Sequence, residues 1–167
     1  MVRKIRIVGP VGSGKSTLAR KMSQELNIPM FTLDDMVWSR GANGDIRNSD
    51  EARDLALNSV IQQSAWIIEG THLGWSDQSF YEAEQILFLN PSVFTRIYRF
   101  SRRFIQQKRG IESSSYIPTW KMYRRMFKWT YQYEMVYKHQ VRKIMENSQR
   151  DSLEIRDGKE VGVNYGK

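Results

Sequence analysis

The chain has 167 residues, 40% hydrophobic and 26% charged, with no cysteine. That length predicts a single domain with room for a real core, and that composition excludes wholesale disorder. The missing cysteine excludes a disulfide scaffold, a thiolate zinc site and a cysteine nucleophile. Net charge is +8, unevenly placed: residues 91–150 hold 14 Lys and Arg against Glu112, Glu134 and Glu146, a net of +11, while the remainder comes to −3. Such a segment should meet something anionic, whether nucleotide phosphates, nucleic acid or a membrane surface. No apolar run approaches the roughly 20 residues that span a bilayer, and no leader-like stretch opens the chain. The expectation is a cytoplasmic protein with no membrane contact.

Arg3 to Val8 reads as a short strand whose end is buried, followed at once by a glycine-rich turn. Residues 15–26 carry Leu18, Ala19, Met22 and Leu26 at helical spacing, with Lys21 and Glu25 as an exposed pair. Asn27 and Pro29 end that helix. Met30 to Leu33 is a second strand, and polar residues 39–50, with Gly41 and Gly44, predict a loop. Asn48 followed by Glu51 resembles a helix-capping arrangement, so a helix is predicted over 50–64. Residues 65–68 are a third strand, 70–79 a loop, 80–83 marginally helical and 86–89 a fourth strand. A basic helix follows over 92–108, a serine-bearing loop over 110–118 and a long aromatic, basic helix over 119–147. Residues 153–156 are a fifth strand before a turn at Asp157-Gly158 and a polar end. Apolar strands alternating with helices point to an α/β fold with a parallel sheet.

Gly9-Pro10-Val11-Gly12-Ser13-Gly14-Lys15-Ser16 matches the G-x-x-x-x-G-K-[ST] phosphate-loop pattern. Glycines let successive backbone N–H groups converge on one anion. The helix that follows aims its positive end at the same point. Lys15 has the reach for β- and γ-phosphates, Ser16 the hydroxyl for Mg²⁺, and Thr17 is a further phosphate donor. A chance match in this length is on the order of one in 200. Its position between a predicted strand and a predicted helix favours phosphate binding over a plain linking turn. Gly9, Gly12, Ser13, Gly14, Lys15, Ser16 and Thr17 are therefore the candidate nucleotide-binding residues.

These pieces resemble a small P-loop kinase of the adenylate kinase-like group, and most closely the bacterial DNA topology modulation (FlaR-related) proteins. The resembling stretches are Ile5-Arg6-Ile7-Val8-Gly9, the phosphate loop, residues 33–38, residues 66–70 and residues 87–91. The resemblance implies a P-loop NTPase three-layer fold, with a five-stranded parallel sheet in the order 2-3-1-4-5 and a helical lid. The chain departs from that family where Glu69 and Asn90 replace Asp, and in that the usual helix after the fifth strand is missing or reduced to a few residues.

Asp34 follows the second strand, which places it at the carboxyl edge of such a sheet. By the same resemblance it orients or deprotonates an acceptor hydroxyl, or holds a Mg²⁺ water; a helix cap is the plainer reading. Asp35 is expected to point elsewhere. Glu69 ends the third strand where a Walker B-like carboxylate is expected, so Ser16, Asp34 and Glu69 form the candidate metal set. His72 is a lone histidine in a polar loop and receives no role. Arg96, Arg99 and Arg103 share one helix face by spacing. Together with Arg109, and with Arg124 and Arg125 beyond the loop, they match the lid of adenylate kinase-like enzymes, over about 103–125. Arg99 and Arg103 are assigned to catalysis and Arg109 to nucleotide binding, because guanidinium forks onto phosphate oxygens.

Trp120, Tyr123, Phe127 and Tyr131 lie along one face of the long helix, and Met126, Trp129, Tyr133 and Tyr137 along another. That pattern reads as a helix packed on two sides, against the sheet and the lid. A base-stacking surface or a dimer contact is the sharper alternative. The expected function is transfer of the γ-phosphate of ATP, with Mg²⁺, to a small nucleoside- or nucleotide-like acceptor bound by residues 38–65, in a monomer or weak homodimer. The alternative is a nucleotide-dependent regulator or nucleic-acid-binding protein that works through the basic aromatic helix.

Overall fold

The computed structural model describes residues 2–41, 44–112 and 118–156. Its centre is a sheet of five strands, β1 (Lys4–Val8), β2 (Met30–Thr32), β5 (Trp66–Glu69), β6 (Gln85–Leu89) and β7 (Asp151–Ile155). They lie in the order β2-β5-β1-β6-β7 and every pair is parallel. Counted along the chain among these five alone, the order is 2-3-1-4-5, as the resemblance implies.

Alternation along the strands builds two cores, one on each face of the sheet. Ile5, Ile7, Ile67, Leu87 and Leu89 pack with Leu18, Ala19 and Met22 of α1 (Lys15–Leu26). Val8, Ile68, Ile86 and Phe88 pack on the other face with Leu33 of α2 (Leu33–Val37) and with Leu57 and Val60 of α3 (Asp50–Ile61). Phe80 of α4 (Gln78–Glu82), Tyr133, and Val141 of α7 (Lys138–Ser148) complete that layer. These central strands are apolar on both faces because helices cover both, which is the condition for a parallel sheet. All carboxyl ends fall at one edge, where Val8, Thr32, Glu69 and Leu89 open into the loops that carry the site.

Three expectations change. Residues 38–41 and 44–47 form an antiparallel strand pair, β3 (Trp38–Gly41) and β4 (Gly44–Arg47), in place of a loop. Its apolar residues Trp38 and Ile46 are exposed, so no burial pattern announced it. Asn48 closes it by hydrogen-bonding Met36 O and Ser39 Oγ, and α3 is capped one residue later, by Ser49 Oγ accepting from Ala52 N–H. The long helix is broken into α6 (Trp120–Gln132), a π turn (Tyr133–Tyr137) and α7. Its first aromatic face packs on α5 (Val93–Lys108), where Tyr123 stacks on Phe104 with centroids 4.7 Å apart and Phe127 meets Phe100 edge-on at 5.1 Å. Only part of the second face is covered: Met126 and Tyr133 are buried, whereas Trp129 and Tyr137 are exposed.

The tip of the expected lid, residues 113–117, and the chain beyond 156 lie outside the described residues. No described helix is long and apolar enough to cross a membrane.

Candidate functional site

The phosphate loop runs from β1 into α1 as the motif requires. Gly12 adopts φ +75°, and a Cβ there would lie 2.7 Å from Arg96 O, so the loop needs glycine for both conformation and space. Ser13 N–H donates to Pro10 O at 3.2 Å. The side chain of Ser13 is buried, with no hydrogen-bond partner for its Oγ among the described residues. Lys15 is half-buried at the first turn of α1 and Thr17 is exposed one residue beyond Ser16.

Ser16 Oγ donates to Glu69 Oε1 at 2.8 Å. Glu69 is only 3% exposed, and its Oε2 has no hydrogen-bond partner among the described residues. A buried carboxylate oxygen left open beside a hydroxyl is a costly arrangement unless something cationic completes it. Mg²⁺ suits this donor set, since it takes few protein oxygens and keeps its remaining places for phosphate and water.

Beneath Glu69 lies Arg6, fully buried, which sequence reading missed because it sits between two core isoleucines. Its guanidinium donates to Ile7 O at 2.7 Å, Ile68 O at 3.2 Å and Gly70 O at 3.1 Å, and lies 4.8 Å above the Phe80 ring. Burial pushes its pKa down to about 10, against the pull of the Glu69 and Asp77 charges. Arg6 thereby ties off the carbonyls where β5 ends and the next turn begins.

That turn holds three contacts that no motif announced. Thr71 Oγ1 donates to Gly9 O at 2.6 Å. Gly70, at φ +150°, passes so near α2 that a Cβ would lie 2.8 Å from Leu33 Cβ. His72 Nε2 lies 2.9 Å from Asp34 Oδ1. Asp34 sits in the first turn of α2, whose N-cap is Thr32, and its side chain is 59% exposed. Asp35 turns the other way, as expected, and lines a cavity of about 420 Å³ with Phe31, Thr32, Met36, Asn48 and Ser59. Part of the expected acceptor region therefore does line a cavity, though on Asp35.

The arginines that share a helical spacing on α5 divide. Arg99 Nη1 donates to Ser13 O at 3.2 Å, which puts its charge at the phosphate loop. Arg103 pairs with Glu112 at 3.0 Å, and Arg109 is exposed at the C-cap of α5. Arg96 corrects the expectation of a phosphate-facing stripe: it is 0% exposed and paired with Glu134 of the π turn. Lys121, Arg124, Arg125 and Lys128 line a shallow cleft of about 500 Å³ along α6 with Trp120.

No family model matches the chain. Two curated proteins match short stretches. The shikimate kinase of Buchnera aphidicola subsp. Schizaphis graminum (strain Sg) is 48% identical over 42 residues, 25% of this chain and 24% of that protein. The shikimate kinase of Buchnera aphidicola subsp. Acyrthosiphon pisum (strain APS) is 47% identical over 38 residues, 23% and 22% of the two chains. The match thus spans about a quarter of these relatives' length. Solved structures match over far more of the chain. Shikimate kinase from Acinetobacter baumannii in complex with shikimate has a TM-score of 0.57 at 14% identity, covering 93% of this chain and 84% of that one. Shikimate kinase from Bacteroides thetaiotaomicron has a TM-score of 0.53 at 15% identity, covering 99% and 92%. The DNA topology modulation proteins are not among these relatives. At such identities the likeness is one of fold, and the fold is the α/β P-loop fold seen in shikimate kinases.

Proposed function

We propose that this chain is an ATP-dependent phosphotransferase that moves the γ-phosphate to a hydroxyl of a small-molecule acceptor, nucleoside- or nucleotide-like in class. The observation that carries this reading is the pairing of Ser16 with a buried, half-satisfied Glu69 beside a complete phosphate loop. The fold and the short shikimate kinase matches support it.

Gly9, Gly12, Ser13 and Gly14 present backbone N–H groups to the phosphates, with Lys15 and Thr17 adding side-chain donors. Ser16 and Glu69 would hold Mg²⁺, which would supply neutralisation of the phosphate charge. Asp34 orients the acceptor hydroxyl, and would join Ser16 and Glu69 in the set that holds Mg²⁺. The acceptor oxygen forms a bond to the γ-phosphorus, the bond to the β–γ bridging oxygen breaks, and ADP leaves. The hydroxyl proton passes to Asp34, a modest chemical role because phosphoryl transfer depends mainly on positioning. Arg99 acts from the phosphate-loop side on the migrating charge, and Arg103 and Arg109 join it as the lid closes and excludes water.

The test is a screen of hydroxyl acceptors with γ-labelled ATP, nucleosides and nucleotides first and shikimate among them. Asp34→Asn should keep Mg·ATP affinity and lower transfer by about 10²–10⁴-fold. Unchanged transfer would return Asp34 to a purely structural place in α2.

One observation favours the second reading, a nucleic-acid-binding surface. Lys121, Arg124, Arg125 and Lys128 have no acidic partner among the described residues and share their cleft with an exposed Trp120. Binding of single-stranded DNA whose affinity falls steeply with salt would support it.

A further inference from the structure

We propose that Glu134 is a positioning residue for the phosphate loop, acting through Arg96 of α5. This rests on the reading of Gly9 to Ser16 as the Mg·ATP site and names for that site a residue far outside the motif.

Two contacts join the loop to α5. Gly12 passes so close to residue 96 that a Cβ there would lie 2.7 Å from Arg96 O. On the next turn, Arg99 Nη1 donates to Ser13 O at 3.2 Å. One side of α5 therefore walls the loop, and a slide or roll of α5 moves the backbone that has to face the phosphates. Misplacement by about 1 Å is costly in such a site. Most of what holds α5 to α6 does not fix its register. Phe100 against Phe127 and Phe104 against Tyr123 are ring contacts, and their hydrophobic attraction is non-directional. The hydroxyl contact of Ser101 with Tyr123, at 2.9 Å, lies beyond both loop contacts on α5.

Arg96 faces both ways. Its carbonyl lies against Gly12, and its buried guanidinium pairs with Glu134. Glu134 is itself held, since Lys138 Nζ donates to its Oε2 at 3.1 Å. The Tyr133 ring lies 5.8 Å from the guanidinium carbon. Arg96 Nε and Nη1 have no hydrogen-bond partner among the described residues. One carboxylate therefore answers the buried charge and decides where the guanidinium sits. Charge-assisted bonds are short and geometrically specific, so the pair selects one register of α5 where ring packing admits several. An apolar pair of similar volume often serves stability as well or better. Stability alone does not account for an ion pair at this position.

Two variants separate positioning from stability. Glu134→Gln keeps the shape and removes the charge. Arg96→Met combined with Glu134→Leu fills the same space with apolar side chains, which suit a buried site. Thermal melts report whether each is folded, and calorimetric titration reads Mg·ATP affinity. The double variant should melt within a few degrees of the parent and yet bind Mg·ATP about 10-fold more weakly. Glu134→Gln should lose affinity by a similar factor. Parental affinity in either folded variant would overturn the proposal, because packing would then suffice to hold the loop.

The reciprocal readout needs no substitution. Coupling between two places acts equally in both directions. Saturating Mg·ATP should therefore slow hydrogen exchange of the parent's amides at Tyr133 to Tyr137 about 10-fold more than in α3. No such difference, with the loop amides protected, would overturn the proposal even if both variants failed to fold. Failure of the nucleotide reading looks different: the parent binds no Mg·ATP and gains no protection at Gly9 to Ser16, which removes the reading and the proposal together.

Discussion

Under the proposed function, anions meet both the phosphate loop and the helical arm beside it, and the two are built in opposite ways. The loop does its work with backbone, and every residue it needs lies within eight consecutive positions, Gly9 to Ser16. The arm, α5 with α6, works with side chains whose partners are distant in sequence. Arg96, Arg99 and Arg103 occupy neighbouring turns of one helix yet meet three different fates: a buried pair with Glu134, a hydrogen bond to the phosphate loop, and a surface pair with Glu112. Helical spacing puts residues on a common face. What that face packs against decides where each of them goes.

The largest expected effect breaks the arm. Arg96 is fully buried, and Glu134, in the π turn 38 residues on, supplies its counter-charge. Glu134→Ala leaves that guanidinium buried and unpaired, which costs about 3–5 kcal/mol. Urea unfolding should show the loss, and a change under 1 kcal/mol would mean the guanidinium finds another partner. The π turn is where one more residue per turn is accommodated, with Lys138 N–H reaching back to Tyr133 O, and such turns often mark functional positions. Here it brings Glu134 to α5.

The next effect falls on the seam between the two regions. Gly12→Ala places a Cβ 2.7 Å from Arg96 O at a backbone φ of +75°. The strain alone is worth about 1–3 kcal/mol, and the loop relieves it only by moving off α5. Mg·ATP affinity should therefore fall more than stability does, comparing calorimetric titration with thermal melts. Equal losses would mean that loop and arm fold as one unit.

The loop and sheet were legible because their determinants are local. An apolar strand, the glycine pattern and an amphipathic helix stand in unbroken sequence, and three of the four remaining sheet strands, β2, β5 and β6, are short, largely apolar runs. The β3–β4 pair was not legible, because Trp38 and Ile46 face solvent and its order comes from Asn48 binding back to Met36 O. Arg6 receives no role from sequence, and Arg96 groups with the lid arginines, because nothing near them in sequence shows the carbonyls or the carboxylate that hold them. His72 was passed over for the same reason: its partner, Asp34, lies 38 residues earlier. The phosphate loop is thus written in one motif, whereas Glu69, Arg99 and the His72–Asp34 pair are brought to it by the fold.

The smallest expected effect concerns the anchor of α7 to the sheet. Glu154 on β7 is partly buried, which raises its pKa, but hydrogen bonds from Asn90 and Arg142 and the nearby positive charges outweigh this and hold it below the usual glutamate value. A carboxylate with a depressed folded pKa contributes stability that is present above the unfolded value and lost as pH falls through the folded one. Glu154→Gln should therefore flatten a small part of the acid-side loss in thermal stability, below the ordinary glutamate range, and leave neutral pH nearly unchanged. A variant with the parent's full acid sensitivity would place that sensitivity elsewhere.

The central claim is that Gly9 to Ser16 binds the phosphates of Mg·ATP, and Lys15→Ala tests it most directly. Lys15 is half-buried at the mouth of the loop and belongs to neither core cluster, so its loss should leave the thermal unfolding transition in place. Calorimetric titration at fixed salt should show one Mg·ATP bound by the parent, and an affinity lower by about 100-fold in the variant. Equal affinity in the two folded proteins would contradict the account.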